Sequence, residues 1–252
     1  MSAAFFIVEE VDMSCEYSVL IVGACVVIIP AADGAAHYKD LVDSVLLAQL
    51  IANKKIEKAP DVDWYNAYVE FLDDYWLRRT RARQEWLITQ DSVESVSDWV
   101  IAAISQGAVD KGGATAATVQ RLARLSGNEP AMGLLRDHMQ KISTDESGDV
   151  LAPAKAVRLL VVIAQTPTSL TSVYIELKTR QIISANPLAQ RHLAEDVQGS
   201  VCMRYASADL SGILYGPLRD AIALKISDRY QDNVAMLTLT DDASTMEICA
   251  AD

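Results

Sequence analysis

Residues 19–32 read VLIVGACVVIIPAA, and the fold turns on what this run is. It is 14 residues long, whereas a helix that crosses a bilayer needs about 20. Its β-branched content and the glycine at 23 favour a buried strand or a tight pair of strands over a membrane segment. The core of the run, Ser18–Ile29, is apolar at successive positions. Side chains alternate across a strand, so such a strand must be covered on both faces and belongs in the middle of a sheet. Pro30 ends it and Asp33-Gly34 supplies a turn. Upstream, Phe5–Val11 is apolar with acidic ends and reads as a further strand.

Downstream the period changes to that of helices. His37–Lys55 carries Leu41, Val45, Ala48 and Ile51 or Ala52 at helical spacing, with Lys54 and Lys55 where cations suit a helix C-terminus. Asp61 or Asp63 is placed to cap a long helix that runs to about Ile88. Ser92–Ile104, Thr115–Leu125 and Glu129–Ile142 read as three more, separated by a glycine-containing loop over 106–114. Ser143–Asp149 (STDESGD) is the best linker candidate. Beyond it, Ala156–Gln165 and Ser172–Ile183 read as a strand hairpin. Asn186-Pro187 opens a short helix to about Val197, Val201–Tyr205 is a strand, Gly212–Ile226 a helix interrupted at Pro217, and Val234–Thr240 a last strand. The class is therefore α+β: N-terminal strands, a central block of about five helices, then a mixed strand and helix region. The two sheet-forming regions either pair into one sheet or stand apart as domains 1–145 and 150–252.

The whole sequence has 252 residues, about half of them apolar, and a formal net charge of −12. This composition describes a soluble globular chain and excludes a disordered one. The acidic balance disfavours general nucleic-acid binding, which needs lysine and arginine against phosphate. The four cysteines, Cys15, Cys25, Cys202 and Cys249, include no C-x-x-C pair. Together with an N-terminus that has no basic residue before Lys39, they point to the cytoplasm, with neither secretory leader nor membrane span. No P-loop, dinucleotide fingerprint, nucleophile elbow or metalloprotease motif occurs, so no cofactor and no metal site is expected.

Three local features could carry function. The first is an aromatic stripe. Trp64, Tyr68, Phe71 and Tyr75 recur at helical spacing, and Tyr65, Leu72 and Trp76 widen the stripe. Such a stripe is either the core face of the helix or a surface for a partner or a second copy of the chain. It leads into Arg78, Arg79, Arg81 and Arg83, which suit an acidic partner or pair locally with Asp73, Asp74 and Glu85. The second is Val119–Met139, which resembles a helix-turn-helix: Leu122-Ala123 and Gly127 sit where that motif needs an apolar contact, a small residue and a tight turn. The resemblance implies DNA contact through Arg121, Arg124 and Arg136. Gly133 and the start Glu-Pro-Ala-Met of the second helix depart from the pattern. The third is His37 with Asp33 and Asp40, a weak candidate for acid–base chemistry. The leading expectation is a non-enzymatic protein acting through protein–protein contact, as an inhibitor, assembly factor or self-assembling subunit. The alternatives are a DNA-binding regulator with a C-terminal sensing region, and an enzyme with an unrecognised site.

Overall fold

The computed structural model describes residues 17–89, 93–106, 113–140, 154–237 and 239. The 19–32 run is a tight strand pair: β1 (Tyr17–Val22) and β2 (Cys25–Pro30) are antiparallel, from Tyr17 opposite Pro30 to Val22 opposite Cys25. Gly23 turns the chain with φ +58°, a left-handed conformation that glycine adopts without a Cβ penalty. The apolar run is therefore two strands, not one long one. The elements after it are α1 (Lys39–Lys58), α2 (Trp64–Leu72), β3 (Trp76–Trp86), β4 (Glu94–Ser95), α3 (Val96–Gln106), α4 (Ala114–Arg124) and α5 (Pro130–Met139). The chain continues with β5 (Lys155–Thr166), β6 (Ser169–Thr179), β7 (Arg191–His192), β8 (Val201–Leu210), α6 (Gly212–Tyr215), α7 (Arg219–Tyr230) and β9 (Val234–Leu237).

Seven strands form one mixed sheet in the order β3-β8-β6-β5-β2-β1-β9, and β4 and β7 form a small second one. The fold is α+β. N-terminal and C-terminal strands meet in the parallel pairing of β2 with β5, Cys25 opposite Leu160. The central strands β1, β2, β5 and β6 are buried on both faces, as the apolar run demands. Val22, Cys25, Val27 and Ile29 pack with Leu160, Val162 and Tyr174 under α1, α2 and α7. Val19, Ile21, Val26 and Ile28 pack with Val161, Ile163, Val173 and Ile175 under α3, α4 and α5.

Two expected helices differ. The helix capped at Asp63 ends at Leu72, and residues 76–86 form β3 instead of continuing to Ile88. Asp73 and Asp74 place negative charge at a helix C-terminus, where the dipole opposes it. Antiparallel pairing of Trp76–Trp86 with β8 then supplies the backbone hydrogen bonds a longer helix would have made. No helix follows Asn186. Its side-chain amide instead donates to the carbonyls of Leu122, Ala123 and Leu125 at 2.9, 3.3 and 3.0 Å, closing the C-terminus of α4. The Leu122 carbonyl also accepts from the Leu125 N–H at 3.2 Å, so Asn186→Ala takes this donor chiefly from Ala123 and Leu125 and is expected to cost about 1–3 kcal/mol, read as a lower urea midpoint. The Phe5–Val11 strand and the Ser143–Asp149 linker lie outside the described residues.

Candidate functional site

The aromatic stripe faces inward. Trp64, Tyr65, Tyr68, Tyr75 and Trp76 are buried, and only Phe71 is half-exposed. Trp64 stacks on Tyr68 and Tyr174 with centroids 5.4 and 5.6 Å apart, and Tyr65 lies 4.8 Å from Tyr174. The indole N–H of Trp64 donates to Asn53 Oδ1 at 2.7 Å. Burial pushes the Tyr68 and Tyr174 hydroxyls well above their usual titration range. As a contact surface for a partner this stripe is corrected: it is the packing layer between α2 and the sheet, because a sheet face of this width needs large side chains to fill it.

The arginines remain on the surface, on a strand. β3 is the outermost strand at one end of the sheet, with β8 as its neighbour among the described strands. Every residue from Arg79 to Glu85 is exposed. Arg78 donates through Nε to Asp73 Oδ1 at 3.0 Å and Arg83 through Nη2 to Glu85 Oε1 at 2.5 Å, while Arg79 pairs with Asp209. Arg81 has no carboxylate partner among the described residues. Beneath the strand lies Arg204 of β8, only 6% exposed. It donates to Asn66 Oδ1 at 2.8 Å, pairs with Asp63 and lies 4.8 Å over the Tyr65 ring. Burial opposes the charge on Asp63, but the Asn66 backbone N–H and the cations of Arg204 and Arg83 outweigh it and hold the carboxyl below its usual range. Arg204 escaped the sequence reading because its partners are more than 130 residues away.

No family model and no curated protein matches this chain. Among solved structures, one described as the Evf virulence factor aligns with 83% of this chain and 81% of its own, at 9% identity and a TM-score of 0.31. A likeness that weak carries no argument.

The helix pair expected at 119–139 is present as α4 and α5, with Arg124 exposed and Arg121 and Arg136 half-buried. Arg136 donates to its neighbour Asp137 at 2.9–3.0 Å. Gly127 serves close packing: a Cβ there would sit 2.3 Å from the Ala185 Cβ. α5 buries Ala131, Met132, Leu135 and Met139 in the core. His37 and Asp40 are not joined. The His37 ring contacts the Asp33 carbonyl, whereas Asp40 accepts from Arg219 at 2.8–3.0 Å. The described residues contain no cluster of three metal-ligating side chains, and none of their helices is long and apolar enough to cross a membrane.

Proposed function

We propose that this chain is a cytoplasmic, non-enzymatic protein that acts by binding another protein, and that β3 takes an acidic extended segment of that partner as an added strand. The observation that carries the reading is an eleven-residue strand, outermost among the described strands and exposed from Arg79 to Glu85, that bears four arginines in a chain of net charge −12. An edge strand offers a free row of backbone donors and acceptors, and strand addition is a recurrent way to use it. The charge selects the occupant. A second copy laid antiparallel on β3 would set Arg79, Arg81 and Arg83 against one another, and like charges in cross-strand pairs destabilise. Aspartates or glutamates at the same positions attract, most strongly at Arg81, which has no carboxylate to displace among the described residues.

The test is fluorescence anisotropy with a labelled peptide of alternating glutamate and threonine. Binding is expected at low salt and to weaken as salt rises. The variant Arg81→Glu should lower affinity at least tenfold and leave the thermal midpoint unchanged, since this side chain is exposed and forms none of the ion pairs among the described residues. A peptide that does not bind, or binds the variant equally well, overturns the reading. Aggregation of the variant without loss of binding would assign the arginines to guarding the edge against self-association.

A further inference from the structure

One face of the same sheet carries a cavity of about 560 Å3, bordered on one side by Arg79, Thr80, Arg81, Ala82 and Gln84 of β3. Sites for small ligands span roughly 300–1,000 Å3. The cavity lies where β3, β8 and β6 extend beyond the last turn of α3, between Gln106 on that helix and Gln165 and Ser169 at the β5–β6 turn. Under α3–α5 this face is aliphatic, with Val161, Val173 and Ile175. Within the cavity the lining changes to amides and hydroxyls, with Arg79 and Arg81 at its β3 side.

These polar groups hold one another in place. Gln84 Nε2 donates to Gln106 Oε1 at 3.0 Å, and Thr80 and Ser207 hydroxyls meet at 2.6 Å. Ser169 donates to Gln165 Oε1 at 3.0 Å, and Gln165 Nε2 donates to the buried Thr171 hydroxyl at 3.3 Å. The bond between the two amides leaves Gln84 Oε1 as an acceptor and Gln106 Nε2 as a donor. Met203 and Ala103 provide an apolar surface beside them, with the half-buried ring of Tyr205.

The charges narrow the ligand. Among the described residues no aspartate, glutamate, lysine or histidine lines the cavity, so a cation finds no counter-charge on them. Arg79 is neutralised by Asp209. Arg81 also lines the cavity, but it stands opposite Ala206, whereas Ala82 stands opposite Tyr205; by the alternation of a strand, its guanidinium projects from the other face and its backbone borders the cavity. An anion is therefore not favoured. A purely apolar ligand would strand the amides without partners. What remains is a neutral ligand whose own groups both donate and accept, as the serine, threonine and tyrosine hydroxyls do. We infer that this cavity binds a neutral saccharide.

The test begins with the full chain on an array of neutral, sialylated and sulfated glycans, followed by calorimetric titration of the strongest neutral glycan. Ala82→Trp fills the cavity from an exposed strand position, and Gln106→Ala removes its donor. Each should weaken binding at least tenfold with an unchanged thermal midpoint. The inference falls if no neutral glycan binds, if only charged glycans bind, or if both variants bind as the parent does. It also falls if a neutral glutamine-rich peptide occupies the site in competition while glycans do not.

Discussion

Replacing Trp76 with alanine is expected to lower the unfolding free energy by about 3–5 kcal/mol, the range for removing a buried large aromatic. Trp76 is the first residue of β3 and only 2% exposed. Its indole N–H donates to Ser44 Oγ at 3.1 Å, and Ser44, fully buried in α1, donates to the Leu41 carbonyl at 2.9 Å. Truncation opens a cavity between α1 and the sheet and leaves a buried hydroxyl oxygen with one partner fewer. Trp76→Phe keeps most of the volume and loses the hydrogen bond, so it should cost about 1 kcal/mol plus a smaller cavity term. Urea denaturation separates the two, as midpoint shifts at constant slope. A Trp76→Ala protein as stable as the parent would return this side chain to the surface and reopen the stripe as a contact site.

That stripe shows what local pattern carries and where it stops. The spacing of Trp64, Tyr68 and Phe71 is helical, and α2 occupies those positions. The same spacing says equally well that a face is buried or that it waits for a partner, because both need large apolar side chains. Beyond Leu72, the run RRTRARQEW is rich in residues that favour helices. What makes it a strand is β8, about 120 residues away in the sequence, and a non-local partner leaves no periodic mark. That residues 18–29 are buried strand was legible because the β-branched run acts within a dozen residues; that Gly23 divides it into β1 and β2 was only one of the two readings its residues left open. The cavity was not legible, since its lining comes from β3, α3, β5, β6 and β8. Asn186 misleads for a related reason: Asn-Pro suits a helix start, yet the amide is used to cap another helix 61–64 residues upstream.

Gln49 is a polar side chain on which the central hairpin depends, and Gln49→Ala is expected to cost about 2–6 kcal/mol, since each of two unpartnered buried backbone groups costs about 1–3. It sits 3% exposed in an otherwise apolar stretch of α1. Its Nε2 donates to the Val22 carbonyl at 2.8 Å, and its Oε1 accepts from the Ala24 N–H at 3.0 Å. These are the groups on either side of the turn residue Gly23, whose own N–H donates to the Asn233 carbonyl at 2.7 Å. Gly23→Ala should be destabilising for two separable reasons. Its φ of +58° opposes a Cβ, and that Cβ would stand 2.8 Å from Gln49 Oε1. Removing Gln49 relieves the second and leaves the first. The pair should therefore be less than additive in a double-mutant cycle, with Gly23→Ala costing about 1–2 kcal/mol in the Gln49→Ala background. Strict additivity would mean that the amide does not hold this turn, and that the two-sided burial of β1 and β2 alone sets its geometry.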